Sequence, residues 1–436
     1  IPSPRSADSI ALMPGAKALQ GSAALITFEQ ALRAIRLHVA PSPVESVELS
    51  GLDGRVLAQD VLSCVNLPGF DNSAMDGFAL SASHRGLPAG TPIAVDRLQA
   101  AGDPVFALGE NACLIMTGAA VPEGTDTVVP VEQVDIIGSL QAPDGMRITL
   151  HQPMAAGQNI RRAGEDINTC ELLCTAGTVL SAKHVMLFAA IGVETLAVRQ
   201  RIKAAVLCTG AELVSDGAEP LLSGQIRNSN GPYLKAQLKA VGVDVAHYRI
   251  IADQPEAYRE AVEDAERAGC RLIVSTGAVS MGVHDFVPEA LRRLGAEIIF
   301  HKLGMRPAKP TLFARLPSGV PVFGLPGNPM SCAVGLRFFV QEAIRSMHCL
   351  PAERPIHARL QAPVGKKAGW QLMHKALLNI NDQGQAQVSL LPGQESFRIK
   401  PFAAANAWAL LPAPDTALSA GHVLACYPLG GSGLEL

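Results

Sequence analysis

In the second half of the sequence, short apolar runs alternate with amphipathic segments of helical spacing, and this pattern constrains the fold more than any other feature. Apolar runs at 204–207 and 272–274 are typical of buried strands, and residues 243–251 between them are predicted to form a further strand. Strands that alternate with helices of ten or more residues form a mostly parallel sheet with helices on both faces. The sequence therefore predicts a doubly wound α/β domain over residues 201–348.

Acidic residues follow these predicted strands closely. Glu212 comes after the first strand, Asp253 after the second and Asp285 after the third. Because the carboxyl ends of adjacent parallel strands form a common crevice, we expect these carboxylates to lie near one another. Small residues after the third strand would let the backbone approach a ligand closely. The candidates for that contact are Ser275, Gly277 and Ser280.

A cationic run and a helix start follow in the same region. Lys302, Arg306 and Lys309 supply positive charge. Asn328 is a favourable N-cap and Pro329 a favourable first helical residue, so free N–H groups are expected beside these cations. Such an arrangement binds phosphate or another oxyanion. A Mg²⁺ ion held by one or two carboxylates and substrate phosphates would relieve the repulsion between the acids. The residues alone therefore predict an enzyme that handles phosphate or an oxyanion.

The bulk properties exclude several classes of protein. A chain of 436 residues is too long for one core, and 48% apolar with 17% charged residues excludes global disorder. A net charge of −3 argues against a nucleic-acid partner. The sequence contains no run of eighteen apolar residues, so it predicts no membrane span. The sequence has no Gly-x-Ser-x-Gly elbow, Walker loop or dinucleotide fingerprint, which disfavours nucleophilic hydrolysis, ATP hydrolysis and hydride transfer.

The nine cysteines contain no Cys-x-x-Cys pair and are typical of reduced thiols in the cytoplasm. Cys170 and Cys174 lie four residues apart, a spacing that favours one face of a helix over a zinc site. We therefore predict a cytoplasmic protein without structural zinc.

The remaining sequence divides into smaller parts. Residues 1–24 have the composition of a flexible tail. Residues 25–46 together with 150–200 are predicted to form an extended linking and dimerisation domain, with a β-rich domain of residues 47–149 inserted between them. Residues 349–436 carry short β-type runs separated by Pro and Gly, which predicts a β-barrel used for packing or dimerisation.

Two charged loops stand out before the α/β domain. Residues 71–78 place two carboxylates five positions apart, and residues 157–167 place paired arginines before paired acids. Acids in a loop of small residues are more often turn-formers than catalysts, so the local sequence favours a structural role for Asp76. The second loop is either solvated charge or a clamp for a phosphate and a cation together.

Taken together, these segments resemble the molybdopterin molybdenumtransferase family, which comprises the MoeA proteins and the matching E domain of gephyrin. The resemblance covers roughly residues 25–430 and follows the family's order. The matching segments are DNSAMDGF (71–78), MTGAAVPEGTDTVV (116–129), GQNIRRAGEDI (157–167), CTGAEL (208–213), GQIRNSN (224–230), STGAVSMGVHD (275–285), LGMRPAKP (303–310) and GLPGNP (324–329).

The resemblance implies the last step of molybdenum cofactor biosynthesis. In that reaction molybdate and adenylyl-molybdopterin give molybdenum cofactor and AMP, with Mg²⁺. It also implies an elongated homodimer of four-domain subunits, with the active site between the α/β domain of one subunit and the inserted domain of the other. Contacts with molybdopterin-synthesis enzymes or molybdoenzyme chaperones would fit this role.

The same resemblance assigns functions to individual residues, and it overturns the structural interpretation of Asp76. The catalytic residues it implies are Asp76, Asp166, Glu212, Asp253 and Asp285, of which Glu212 and Asp285 are assigned to the metal. The substrate-binding residues are Thr117, Ser275, Gly277, Ser280, Lys302, Arg306, Lys309, Pro326, Asn328, Pro329 and Ser331.

Three departures from the family pattern leave alternatives open. The usual TGDEL, TGG and KPGKP read TGAEL, TGA and RPAKP here, with alanine at 211, 278 and 308. A methyl group at Ala278 or Ala308 matters if the backbone there has positive φ or touches ligand. One alternative is a molybdopterin adenylyltransferase, against which the inserted domain and the barrel argue. The other is a pterin-binding carrier or scaffold, favoured by the acid lost at Ala211 and opposed by the acids that remain.

Overall fold

The chain folds into two units. The computed structural model describes residues 25–88, 90–140, 142–215, 217–279 and 286–429. One unit is Pro43–Gln200, and the other combines Ile1–Ser42 with Arg201–Leu436. Two of the predicted site residues, Ser280 and Asp285, lie outside the described residues.

The helices are short, and α1 and α2 begin with a capping box. Thr27 caps α1: its Oγ1 accepts from the Gln30 backbone N at 3.2 Å, and the Gln30 side chain accepts from the Thr27 backbone N at 2.9 Å. A π-helical turn at Leu336–Val340 joins α6 to α7. Within the described stretches, none of the helices has the length and apolar character needed to cross a bilayer. The helices are α1 (Phe28–His38), α2 (Ala182–Ala190), α3 (Asn230–Ala240), α4 (Pro255–Arg267), α5 (Val287–Arg293), α6 (Pro329–Gly335), α7 (Gln341–Met347) and α8 (Lys400–Ala404).

The Pro43–Gln200 unit is built mainly from β-strands. One mostly antiparallel sheet has the order β7-β4-β6-β5-β9-β8, and its buried side chains include Phe78, Leu114 and Ile148. Smaller antiparallel pairs join β1 to β12, β2 to β11 and β3 to β10. The strands are β1 (Val44–Glu48), β2 (Val61–Leu62), β3 (Asn72–Ser73), β4 (Gly77–Ser81), β5 (Ile93–Gln99), β6 (Ala112–Ile115), β7 (Thr125–Pro130), β8 (Val134–Ser139), β9 (Ala142–Leu150), β10 (Ile160–Arg161), β11 (Leu172–Cys174) and β12 (Thr195–Arg199).

The other unit contains the predicted α/β domain and a barrel. Its strands are β13 (Lys203–Thr209), β14 (Leu213–Val214), β15 (Ile226–Arg227), β16 (Asp244–Ile251), β17 (Leu272–Thr276), β18 (Glu297–His301), β19 (Met305–Arg306), β20 (Leu312–Arg315), β21 (Pro321–Leu325), β22 (Ile356–Leu360), β23 (Val364–Gly365), β24 (Gln371–Ile380), β25 (Ala386–Leu390), β26 (Ala407–Leu411), β27 (Ala417–Leu418) and β28 (Val423–Pro428).

The sheet order β16-β13-β17-β21-β20-β18 confirms a doubly wound, mostly parallel fold. The first four strands are parallel, and β20 and β18 are antiparallel additions at one edge. One face packs on α3 and α6 through side chains such as Leu234 and Val334, and the other packs on α4 and α5 through Tyr258 and Leu291. Burying each such side chain contributes about 1.5–3 kcal/mol, so the strand ends are held on a rigid support.

The C-terminal strands form a closed β-barrel, as the sequence predicts. The strands β24, β25, β22, β28 and β26 pair in that order, and β26 pairs back onto β24. Strand β19, which carries Arg306, adds to the barrel beside β24 in parallel register. The cationic sequence 306–310 is therefore attached both to the α/β sheet and to the barrel.

Candidate functional site

A cavity of about 680 Å³ opens at the carboxyl ends of β13, β17 and the neighbouring strands. The chain turns sharply at each of these strand ends, and the turns form the wall of the cavity. The predicted site residues that line it are Glu212, Asp253, Gly277, Asn328 and Pro329. Other lining residues include Arg227 and Asn230, which belong to the GQIRNSN segment, and Phe397 and Ile399, which no local sequence signal marks.

Gly277 lets two strand ends approach more closely than any side chain would allow. Its φ is +97°, and a Cβ atom there would lie 2.3 Å from Thr209 Oγ1 and 2.6 Å from the Thr209 carbonyl oxygen. Thr209 Oγ1 also donates to the Thr276 carbonyl at 3.2 Å. The bottom of the cavity is therefore backbone from two adjacent strands, held in direct contact.

Hydrogen bonds from Asn230 and the buried Thr276 fix the loop between β21 and α6. Asn230 Nδ2 donates to the Gly327 carbonyl at 2.7 Å and to Thr276 Oγ1 at 3.2 Å, and Thr276 Oγ1 donates to the Pro326 carbonyl at 3.2 Å. Asn328 occupies the N-cap position of α6 without a side-chain capping bond, and Pro329 is the first helical residue. Pro329 has no N–H and Met330 N donates to the Ser396 carbonyl at 3.0 Å, so the N–H groups that this turn offers to a ligand are those of Gly327 and Asn328, which line the cavity.

Ser275 lies inside the sheet and is fully buried. Its hydroxyl is within 3.1 Å of the Tyr258 hydroxyl and donates to the Phe323 carbonyl at 3.3 Å. Its contacts in this structure are therefore with the protein, below the cavity.

The two acids in the cavity wall come from neighbouring loops. Asp253 Oδ2 accepts from the Ala211 backbone N at 3.0 Å, which ties the loop after β16 to the loop after β13. The Glu212 carboxylate lies against Gly210, where a Cβ atom would come within 2.8 Å of Oε2. Both side chains are exposed to the cavity solvent. Among the described residues, no three His, Cys, Asp or Glu side chains form a ready metal cluster.

A second cavity, of about 360 Å³, lies beside the cationic sequence. Arg306, Lys309 and the buried Ser331 line it. The Arg306 guanidinium lies 4.3 Å from the centre of the Trp370 ring, and Lys309 Nζ lies 5.2 Å from it. The indole therefore holds both cations at the cavity by cation–π attraction. Lys302 follows β18 with a φ of +79° and is not one of the described residues that line either cavity.

The segment of residues 391–399, which leads from β25 to α8, contributes to both cavities. Gln394, Glu395 and Ser396 line the second cavity, whereas Phe397 and Ile399 line the first. The Ser396 carbonyl also accepts from the Met330 backbone N at 3.0 Å, at the start of α6.

Lys375 and Gln394 attach the 391–399 segment to the barrel. The Gln394 side chain accepts from the Lys375 backbone N at 2.9 Å and donates to the Lys375 carbonyl at 2.9 Å. Lys375 Nζ, almost completely buried, donates to the Arg398 carbonyl at 3.2 Å. Burial lowers the pKa of Lys375.

In the Pro43–Gln200 unit, the pairing of β3 with β10 brings the two charged loops side by side. Asp71 accepts from the Ala163 backbone N at 2.8 Å and from Arg162 Nη1 at 2.6 Å. The backbone N–H of Ala163, followed by Arg162, holds the pKa of Asp71 below its usual value. Asp166, in the next turn, has an exposed side chain.

Asp76 and Thr117 are in direct contact. Asp76 Oδ1 accepts from the Thr117 backbone N at 2.7 Å and from Thr117 Oγ1 at 2.9 Å. These donors, the backbone N–H first, lower the pKa of Asp76. The carboxylate therefore stays ionised and ties the 71–78 loop to the start of the 116–129 segment.

Replacing Thr117 with valine is expected to raise the pKa of Asp76, because the carboxylate loses the hydroxyl donor and keeps only the backbone donor. A carboxylate whose pKa is lowered on folding stabilises the folded loop at pH values above the ordinary aspartate pKa of about 3.9, and this stabilisation is lost as the pH falls. The variant has less of this stabilisation to lose, so its stability should fall less as the pH is lowered. A ¹³C-aspartate NMR titration measures the shift. The pKa of Asp71 should not move, and an unchanged Asp76 would contradict the contact.

Ala278 and Ala308, two of the departures from the family pattern, both lie at positive φ, +51° and +76°. An L-residue in this region is strained by about 1–2 kcal/mol. Ala308 is fully buried, so its methyl group also contributes packing, whereas Ala278 is only half-buried. The glycine that the family pattern has at these positions would carry no such strain.

Replacing Ala278 with glycine is expected to raise the free energy of unfolding by about 0.5–1 kcal/mol, because relief of the strain exceeds the entropic cost of glycine. Ala308→Gly is the matched comparison: its gain is offset by about 0.8 kcal/mol of lost methyl burial, so the net change should be near zero. Urea denaturation measures both. Equal destabilisation by both glycines would contradict the strain argument.

Comparison with known proteins gives a consistent result. Residues 26–192 match the family model described as "MoeA N-terminal region (domain I and II)", and residues 205–346 match "Probable molybdopterin binding domain". A molybdopterin molybdenumtransferase of Synechococcus elongatus is 37% identical over 91% of this chain and 98% of its own length. One from Haemophilus influenzae is 33% identical over 93% of this chain and 98% of its own length.

A solved structure shares the architecture as well. The crystal structure of the molybdopterin biosynthesis MoeA protein from Pyrococcus horikoshii has a TM-score of 0.78 at 25% identity and covers 93% of this chain and 99% of its own. The similarity therefore extends over both units and the barrel.

Proposed function

Since this chain belongs to the molybdopterin molybdenumtransferase family, we propose that it transfers molybdenum from molybdate to adenylated molybdopterin and releases AMP. The observation that carries this proposal is the pair of adjoining cavities, one with carboxylates and free backbone N–H groups, the other with two cations. The 391–399 segment belongs to the walls of both. Together they offer separate places for a phosphorylated substrate and for a small oxyanion.

The first cavity suits the adenylated pterin. Its volume of about 680 Å³ falls in the range of small-molecule sites. The turn before α6 offers N–H groups to a phosphate, and the side chains of Phe397 and Ile399 offer apolar area to a ring. The adenine and pterin rings are both flat heterocycles with apolar faces, so either ring fits against this wall.

Mg²⁺ would be held at the first cavity by Glu212, with Asp253 beside it and Asp285 as a further ligand. The described donors fit this ion, which takes one or two carboxylates together with substrate phosphates. When bound, Mg²⁺ would neutralise charge on the phosphate as AMP leaves. The carboxylates would position the ion and keep the phosphate in one orientation.

The second cavity suits molybdate. Arg306, Lys309 and the Ser331 hydroxyl are donors or cations and can surround an oxyanion. The indole of Trp370 holds the two cations in place before the anion arrives, so less side-chain entropy is lost on binding. The remaining predicted residues Lys302 and Pro326 would act through the loops that they shape.

We propose a cytoplasmic homodimer in which Asp76, Thr117 and Asp166 also serve the reaction. The direct bond between Asp76 and Thr117 supports a built and ionised carboxylate there. All nine cysteines of the chain are free thiols, which supports a reducing compartment.

The test is AMP release from adenylated molybdopterin by the purified protein with Mg²⁺, run with molybdate and without it. Molybdate-dependent release of AMP is the expected result. Tight binding of the pterin with no AMP release under either condition would assign the chain to a carrier or scaffold role instead.

A further inference from the structure

One side chain of the second cavity has an unusual environment. His374 lies on β24 and lines the cavity together with Arg306, Lys309 and Ser331. Its Nδ1 is enclosed by protein and has no hydrogen-bond partner among the described residues. Buried polar atoms without partners are uncommon in folded proteins, and each one calls for an explanation. Since Nδ1 makes no hydrogen bond within the described part of the chain, any hydrogen bond from the ring must come from Nε2.

The environment of Nδ1 decides which nitrogen carries the proton. A proton on Nδ1 would be a buried N–H without an acceptor, which is costlier than an unpaired lone pair. The neutral ring therefore carries its proton on Nε2. Since Nδ1 is the enclosed nitrogen, Nε2 is the one left to face the cavity. The ring thus presents an N–H donor toward the place where the oxyanion would bind.

The surroundings also keep the ring neutral. Protonation would require the Nδ1–H that has no acceptor. Burial, followed by the positive charges of Lys375 and Lys366, lowers the pKa of His374 to about 4. Arg306 and Lys309 add positive charge across the cavity, and Glu395 is the acidic residue that lines it. Glu395 is already paired with Arg398, with Nε at 2.8 Å from Oε2. Its negative charge is therefore partly compensated.

We propose that His374 binds the oxyanion as a permanently neutral donor, through Nε2–H, and so contributes the same hydrogen bond at every physiological pH. This inference rests on the proposed function, because it takes the second cavity as the molybdate site. A neutral donor adds a directional hydrogen bond to the oxyanion without adding positive charge. The cavity already contains two cations, so a directional bond contributes more to selective binding than a third positive charge would. His374 thereby becomes a residue that determines affinity for a tetrahedral dianion.

The test measures the dissociation constant of molybdate alone by isothermal titration calorimetry for the wild type and two variants. His374→Gln keeps an amide N–H near the position of Nε2, whereas His374→Phe keeps the ring shape without a donor. Loss of one hydrogen bond is expected to weaken binding about tenfold in the phenylalanine variant, and the glutamine variant should stay within about threefold of the wild type. The melting temperature of each variant checks that it is folded.

The same titration at several pH values between about 6 and 8 separates a neutral donor from an imidazolium. The wild type and the glutamine variant should show the same pH dependence. A wild-type affinity that falls with rising pH while that of the glutamine variant does not would overturn the neutral donor. Unchanged binding by a folded phenylalanine variant would overturn the contact itself. Failure of the wild type to bind molybdate at all would instead refute the oxyanion site of the proposed function.

Discussion

Replacing Gly277 with alanine is expected to lower the free energy of unfolding of the α/β unit by about 3 kcal/mol or more and to abolish AMP release. Two costs add at this position. The positive φ of +97° strains an L-residue by about 1–3 kcal/mol, and the new Cβ would overlap Thr209 at 2.3 Å. The clash involves backbone of β13 as well as side chain, so it can be relieved only by moving apart two strand ends that form the cavity.

Gly269→Ala is the matched control. Gly269 also has positive φ, +76°, but a Cβ atom there would meet no atom within 4 Å. That variant should lose about 1–2 kcal/mol from strain alone and keep its activity. Denaturant titration of both proteins measures the difference. Equal losses would mean that the close approach to Thr209 contributes nothing.

Replacing Glu212 with glutamine is expected to lower kcat for AMP release by about 100-fold or more, the scale on which loss of one electrostatic contact to the reacting group is felt. The amide keeps the size of the side chain but removes the charge that a hard cation requires. The Mg²⁺ concentration for half-maximal rate should rise as well. Because the side chain is exposed to the cavity, the melting temperature should change little.

Glu260→Gln serves as the comparison for this charge change. Glu260 is an exposed carboxylate on α4 that does not line the first cavity. Removing this carboxylate changes the net charge by the same amount as the Glu212 variant does. It should leave both kcat and the Mg²⁺ dependence of the rate unchanged. If the Glu212 variant behaves in the same way, Glu212 is not the metal carboxylate.

Local physics determines the elements that the sequence predicts well. The run that becomes β17 is buried along its whole length, and apolar runs of that length between amphipathic segments have few other outcomes. The start of α1 was predictable because Thr27 and Gln30 satisfy each other's backbone N–H groups. The convergence of Glu212 and Asp253 on one cavity follows from parallel strand order alone.

Weaker local signals gave wrong predictions. Cys170 and Cys174 have helical spacing, yet Cys170 lies in a turn with a φ of +69° and Cys174 lies in β11. Two residues do not define a period. The positive φ of Ala278 has no local sequence signal, since alanine favours other conformations.

The parts of the site that come from the barrel have no sequence signature. Trp370, His374 and Phe397 lie far along the chain from the cations and acids they join, and each has an ordinary local sequence. Their positions depend on how the barrel packs beside β19. Contacts between residues so distant in sequence leave no local pattern from which a single sequence could predict them.

The 391–399 segment has a consequence for the order of events. The residues of this segment line both cavities, and its attachment to Lys375 makes it move as one piece. A ligand that displaces the segment in one cavity therefore changes the free energy of binding in the other. Such an energetic coupling must be reciprocal: if the oxyanion strengthens nucleotide binding by some factor, the nucleotide strengthens oxyanion binding by the same factor. The nine residues of this segment thereby couple the binding of the two substrates of one reaction.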